Sequence, residues 1–312
     1  MQLEFEKWHG AKNDFIVVRL DGRDDIALSS LRRQAEKLCS QDGTGIGADG
    51  ILILTKSSVE LEIPDSLEII NSDGSIAATC GNGIRCAAAS ILREITAKRD
   101  YDIPDGLAIK LADRSVTCQF LSTQPDKPFV SVDMGELSLN QDDKRKEQIA
   151  EELTKAQAEL KLSTKLDNWS YAHIGNEHIV IVVDELTRTL LHQLGPRLQK
   201  SAHWDGINVH LIKEIDQSAV PHSSLMQKTG GQSIGSYYEA LVWERGAGPT
   251  AACGSGACAI GAAVLDQGFD DREDWLGVKM PGSVLLVRQR SSEDACELAG
   301  PTELVFTGTL EL

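Results

Sequence analysis

Apolar residues recur along this chain in short runs of strand length, many alternating with polar neighbours. LEFEKW, FIVVRL, GILILT and LEIINS read as strands near the start, and LAIKL, SVTCQF and FVSVDM follow before position 135. HIVIVV, INVHLI, YYEALVW, SVLLVRQR and ELVFTGTLEL supply the second half. Helical spacing is rarer. SSLRRQAEKLCS predicts a helix with a serine cap, and DDKRKEQIAEELTKAQAEL places Ile149, Leu153, Ala156 and Leu160 on one stripe, as expected of a helix packed on its own domain or over a sheet edge. Two further helices, GIRCAAASILREI and GACAIGAAVLDQG, are apolar nearly all round and rich in small residues, the mark of a helix buried on most sides. Strands and helices do not alternate regularly, which argues against a doubly wound parallel sheet.

The pattern predicts an α+β fold of two pseudo-symmetric domains, each a mostly antiparallel β-sheet curled around a central helix. The first is expected to span residues 1–127 with 300–312 and the second 128–299, with LSTQPDKPF having the composition of a linker. The repeat is sharpest before the two buried helices. C-G-N-G starts at Cys80 and C-G-S-G at Cys253, 173 positions apart.

Composition narrows the function classes. The 312 residues are 41% hydrophobic and 25% charged, ordinary for a globular protein. A formal net charge of -16 repels phosphate backbones and anionic lipid, so neither nucleic acid nor a membrane is an expected partner. The N-terminus has no apolar stretch of signal-peptide length and no run of 18 apolar residues occurs, which with seven thinly spread cysteines predicts a cytoplasmic protein with reduced thiols.

At each C-G-[polar]-G the glycines admit close approach to the main chain, and the helix that follows begins with N–H groups lacking intrahelical partners. A cysteine there is expected to have a lowered pKa, and the donors of Gly81, Asn82, Gly254 and Ser255 can hold a carboxylate. Two such sites facing one substrate suit inversion of a stereocentre beside a carboxylate, with one thiolate removing the α-proton and one thiol returning a proton to the other face. No cofactor is then needed. Other readings compete: Cys39, Cys118 and Cys296 read as inert packing, Cys80 with Cys86 and Cys253 with Cys258 are spaced too widely for a usual zinc site, and no C-x-x-C supports a dithiol redox protein.

Several separated motifs carry a family resemblance: FEKWHGAKNDFIVV, GTGIGADGILIL, INSDG followed by ATCGNGIRC, IGNEHIV, and VWERGAGPTAACGSGACA. In this set and order the chain resembles the diaminopimelate epimerases, cofactor-independent isomerases that interconvert LL- and meso-diaminopimelate on the route to lysine and peptidoglycan. The resemblance implies an active site in a cleft between two similar domains, with Cys80 and Cys253 as the acid/base pair. It implies that Gly81, Asn82, Gly254 and Ser255 bind the reacting carboxylate. Asn13, Asn71, Asn176, Asn208, Glu244 and Arg245 are expected to meet the distal amino-acid head of diaminopimelate, and His178 to support one thiol. No metal is implied, and a homodimer is a possible assembly because such relatives are often dimers.

The chain departs from the family pattern at Trp8, Ala11, Lys12, Glu177 and Pro249, and the segment from Leu137 to Asp167 is longer than usual. The alternatives are a racemase of a shorter or cyclised amino acid, as in the proline racemases, and a non-enzymatic thiol or zinc-binding protein.

Overall fold

The structure, a computed structural model, describes residues 2–20, 25–57, 63–98, 102–266, 268, 274–289 and 295–312. The chain divides into two compact units, Met1–Asp133 with Ala299–Leu312, and Met134–Leu298.

The first unit runs β1 (Gln2–Gly10), β2 (Asn13–Leu20), α1 (Asp25–Cys39), β3 (Gly50–Thr55), β4 (Ser66–Asn71), β5 (Ile76–Ala77), α2 (Gly81–Ala97), β6 (Gly106–Lys110), β7 (Ser115–Ser122) and β8 (Phe129–Glu136). The second runs β9 (Ser138–Leu139), α3 (Asp143–Glu159), β10 (Trp169–His173), β11 (Glu177–Val182), α4 (Arg188–Gln199), β12 (Asn208–Ile215), α5 (His222–Lys228), β13 (Ile234–Glu244), β14 (Gly248–Thr250), α6 (Gly254–Asp266), β15 (Trp275–Lys279) and β16 (Val284–Gln289). The strand β17 (Ala295–Glu311) then carries the chain back into the first unit.

Pairing in the first unit follows β17–β1–β2–β3–β4–β6–β7–β8, and β8 pairs again with β17, so the sheet closes on itself. The second unit repeats the order. β10–β11 matches β1–β2, both antiparallel; β11–β12 matches β2–β3, both parallel; β12–β13 matches β3–β4, and β13–β15 matches β4–β6. The helices α1 and α4 take equivalent crossovers, as do α2 and α6. The expected pseudo-repeat is therefore present strand for strand, with parallel ladders mixed into a mostly antiparallel sheet.

The unbroken apolar runs FIVV and GILIL follow from burial on both sheet faces. Ile16, Val18, Ile51 and Ile53 face α1 in one cluster with Leu31 and Ala35. Their neighbours of opposite parity, Phe15 and Leu52, lie against Gly83 of α2. From Gly81 to Leu92 every residue of α2 is buried, a run in which small residues such as Gly83, Ala87, Ala88 and Ala89 leave room for Ile84, Arg85 and Leu92. In the second unit Ile179, Ile181, Val209 and Leu211 face α3 and α4, including Ile149, Leu153 and Ala156 of the predicted stripe.

Three local expectations need correction. Ser29 is not a cap: α1 begins at Asp25, and the Ser29 hydroxyl donates to Ile26 O at 3.1 Å inside the helix. LSTQPDKPF is the β7–β8 hairpin of the first unit, with Lys127 N donating to Gln124 O, because β17 takes up its backbone through Thr302 N and Leu304 N. The last residue of SVLLVRQR and Gln267 of GACAIGAAVLDQG lie outside the described residues.

One charged group is buried where α2 meets the sheet. Glu6 accepts from Trp8 Nε1 at 2.6 Å, Ser90 Oγ at 2.6 Å and Arg93 Nη1 at 2.9 Å, with Arg19 Nη1 at 3.4 Å. Burial alone would raise its pKa, but Arg19, Ser90, Trp8 and Arg93 together hold it below the usual carboxyl range. Trp8, one of the departures, is thus fully buried with its only polar atom satisfied. A carboxyl held low in the fold adds stability at pH values above its unfolded pKa of about 4.3, and that stability is lost as pH falls through the folded value. Glu6→Ala, which strands Arg19 and Arg93, is expected to cost about 3–5 kcal/mol in urea unfolding at pH 7. Glu6→Gln should flatten the loss of stability between pH 5 and 3; an unchanged acid limb would contradict the assignment.

Candidate functional site

In the first unit the site is built on the entry to α2. Cys80 is its N-cap, extended at φ -154° and ψ 106°, and its Sγ accepts from Gly83 N at 3.4 Å. A sulfur thus occupies the place usually held by a serine or aspartate oxygen, next to the first free amides of the helix. Asn13, the first residue of β2, lies beside it: Asn13 Oδ1 is 3.9 Å from Cys80 Sγ and accepts from Asn82 Nδ2 at 3.3 Å. The other end of that amide, Nδ2, donates to Asp49 Oδ2 at 2.6 Å. Asp49 also accepts from Asp14 N at 2.9 Å, and Asp14 pairs with the buried Lys7 at 2.7 Å. Arg85, fully buried, donates to Asn82 Oδ1 at 2.7 Å and fixes that side chain from behind. Asn71 ends β4, where its Nδ2 donates to Ser75 Oγ at 2.9 Å and holds the turn that leads to Cys80.

The second unit repeats this arrangement with different neighbours. Cys253 Sγ accepts from Gly256 N at 3.4 Å and lies 3.7 Å from Ser255 Oγ, while its backbone N–H points at Met280 Sδ. Glu244 ends β13 as Asn71 ends β4, and it accepts from Thr250 Oγ1 at 2.5 Å. Asn208 opens β12, and both ends of its amide are engaged by main chain: Nδ2 donates to Glu177 O and Oδ1 accepts from Arg245 N, each at 2.9 Å. Arg245 is exposed, its stem against Gly206 and its Nη1 3.4 Å from Asp205 O. His178 Nε2 is 2.6 Å from Asn176 Oδ1, and His178 Nδ1 is 2.8 Å from His210 Nε2.

The electrostatics of Cys253 correct one expectation. Its pKa is raised well above the ordinary thiol value, first by burial and then by the Glu244 carboxylate; the Ser255 hydroxyl and the Gly256 N–H pull the other way. A helix terminus contributes roughly 0.3–1 kcal/mol at the surface, which removal from water beside a negative charge outweighs. Cys253 therefore rests as a protonated thiol. Of the residues expected to meet a distal substrate head, Glu244 stands with the Cys253 thiol and Asn13 with Cys80. His210 was missed, because a lone histidine in the apolar run INVHLI carries no sequence signal of its partner.

A model of the family described as diaminopimelate epimerase matches residues 5–139 and 170–305, which include every residue above. The chain belongs to the diaminopimelate epimerase family. A diaminopimelate epimerase from Trichodesmium erythraeum is 31% identical over 313 residues, 99% of this chain and 100% of the relative; another, from Cyanothece sp., is 33% identical over 325 residues, with 99% and 100% covered. Among solved structures, a predicted epimerase from Pseudomonas aeruginosa matches with a TM-score of 0.62 at 14% identity over 99% of each chain, a likeness of fold.

Against that family pattern the departures are accommodated locally. Ala11 and Lys12 form the two-residue turn between β1 and β2, both left-handed at φ 56° and 68°, with Gly10 paired to Asn13 and Lys12 exposed. Glu177 accepts from Tyr171 OH at 2.9 Å and pairs at 2.9 Å with Arg145 of α3, a helix within the stretch the family model leaves unmatched. Pro249 sits in β14 opposite Trp243. Among the described residues no group of three or more His, Cys, Asp or Glu side chains could hold a metal, and no helix is long and apolar enough to cross a membrane.

Removing the Glu244 charge should make Cys253 easier to ionise. In wild type, alkylation of Cys253 mapped by mass spectrometry is expected to rise only above about pH 8.5, the ordinary thiol value. Glu244→Gln should move that rise to lower pH, and identical profiles would show that the carboxylate does not act on the thiol.

Proposed function

We propose that this protein epimerises LL-diaminopimelate to meso-diaminopimelate without a cofactor, with Cys80 and Cys253 exchanging the α-proton. The observation that carries this reading is the sulfur cap repeated at 3.4 Å from the third amide of both α2 and α6, in a chain whose relatives at about 30% identity over their whole length are named for this reaction. An α-proton beside a carboxylate is too weakly acidic to leave unless the developing negative charge is met by donors, and the first amides of α2 and α6, at Gly81, Asn82, Gly254 and Ser255, are of the right kind. Inversion further requires an acid for the opposite face. Cys253, held as a thiol by burial and Glu244, suits the acid in the resting protein, which leaves Cys80 to act as base; the reverse reaction exchanges their roles.

The rest of the substrate is assigned by chemical fit. Arg245 can fork a carboxylate, Glu244 can accept from an ammonium, and Asn13, Asn71 and Asn176 offer both donors and acceptors. Asn208 acts through Arg245, whose backbone N–H it holds. His178 supports Asn176. A cytoplasmic setting and a homodimer go with this reading.

The test is proton exchange. With LL-diaminopimelate in deuterium oxide, the protein should invert one centre and place deuterium at the α-position, while proline and other amino acids stay unlabelled. Cys80→Ala and Cys253→Ala should each lower inversion by at least the roughly 10²–10⁴-fold typical of a lost acid or base. Near-normal epimerisation by either variant, or labelling of proline in place of diaminopimelate, would overturn the assignment.

A further inference from the structure

The repeated topology gives each unit the same two strand places against the start of its inner helix. In the first unit Phe15 and Leu52, on the paired strands β2 and β3, pack against Gly83. In the second the equivalent places on β11 and β12 hold His178 and His210, both fully buried, with His210 against Gly256 so closely that a Cβ there would lie 2.2 Å from its Cε1. Packing alone is satisfied by a phenylalanine and a leucine. Two buried imidazoles in the same places require a different account, because each brings polar nitrogens that must be desolvated.

The hydrogen bonds fix what these nitrogens do. Burial lowers the pKa of His210 to about 3 and that of His178 well below the ordinary value, so both rings are neutral and each carries one N–H. The shared bond, His178 Nδ1 to His210 Nε2 at 2.8 Å, takes a proton from one ring only. Among the described residues the buried His210 Nδ1 has no hydrogen-bond partner. A buried N–H without an acceptor is the costlier of the two orphans, so Nδ1 is the bare nitrogen and His210 Nε2 carries the proton. His178 Nδ1 must then accept, His178 Nε2 must be the donor, and Asn176 Oδ1, 2.6 Å away, receives it. The Asn176 amide is turned so that its Nδ2 pair faces away from the ring.

We propose that His210 is a positioning residue whose donated hydrogen bond sets the tautomer of His178, and through it makes the half-buried Asn176 offer donors to the substrate carboxylate. The contrast with Asn13 supports this. Asn13 occupies the matching place before Phe15, but it is held by Asp49 at its Nδ2 end and so turns its oxygen toward Cys80 and Asn82. The two asparagines are thus oriented in opposite senses, one by a carboxylate and one by a two-histidine relay, so that Asn13 turns its amide oxygen outward where Asn176 turns its amide nitrogen.

The inference rests on Asn176 contacting the substrate, and its test separates the two. On the protein alone, nitrogen-15 spectra of the histidine side chains should show both His178 and His210 protonated at Nε2 and untitrated from pH 8 to 5. His210→Leu, which copies Leu52 of the first unit, should leave His178 as a mixture of tautomers and raise KM for diaminopimelate about 3–10-fold, the worth of one net hydrogen bond, with kcat changed less than about twofold. His210→Gln, which keeps an amide donor, should restore KM to within about twofold. Wild-type protein with His178 protonated at Nδ1 would overturn the relay even if epimerisation is normal. So would His210→Leu with an unchanged His178 tautomer and unchanged KM. Should diaminopimelate not be turned over at all, the wild-type and His210→Leu spectra still decide whether the relay exists.

Discussion

A helix can be enclosed by a sheet on nearly every side only if its side chains are small and its ends reach the surface of the packing. That constraint shapes both units. The runs GIRCAAAS and GACAIGAA are short of bulk because strands stand on all sides of them, and the glycine three residues past each cysteine is needed where a strand side chain presses on the first turn. Enclosure also fixes where chemistry can occur. Inside, the helix offers no polar group to a ligand; at its start it presents unpaired N–H groups, and a cysteine as cap adds a titratable sulfur without adding volume.

The polar residues in each unit are the places where this apolar logic is broken, and their partners differ from one to the next. Glu6 is tolerated because two arginines, a serine and an indole surround it. Arg85, on the most enclosed stretch of α2, has Asn82 and the Gly81 carbonyl to bond. Cys253 is buried beside Glu244, so its proton is retained. A helix start therefore does not by itself make a thiolate at Cys253, where burial and the carboxylate at the end of β13 outweigh it.

Much of this was legible in the sequence, for identifiable reasons. Period-2 runs such as SVTCQF and unbroken ones such as FIVV mark strands buried on one or two faces, and the all-apolar helices mark what they enclose. The cysteine repeat marked the starts of those two helices, where each sulfur accepts from the third amide. What stayed hidden depended on pairing across distance. Helix α4 was not anticipated, since Pro196 and Gly195 interrupt its pattern; the glycine is demanded by the Trp243 ring, with which a Cβ would collide at 2.4 Å. LSTQPDKPF looks like a linker in composition, but the pairing of β7 with β8 makes it a hairpin, and β17 bonds its backbone as well. The lowered thiol pKa expected of Cys253 failed first because the thiol is buried and then because Glu244, nine positions earlier, is brought back by the β13–β14 turn.

Duplication with divergence explains why the two site halves are alike in frame and unlike in polarity. The frame is shared: sulfur cap, asparagine at the start of the second strand, polar residue at the end of the fourth. Within it, Asp49 and Asn71 in the first unit correspond to an apolar Ile207 and to Glu244 in the second, while Phe15 and Leu52 correspond to His178 and His210. Identical halves would present the same donors and acceptors twice, which suits a symmetric ligand in a symmetric state. A proton transfer is not symmetric, because at any moment one group must be acid and the other base, and the unlike neighbours of the two capping cysteines, Asn13 beside Cys80 and Glu244 beside Cys253, are the kind of difference the proposed reaction needs.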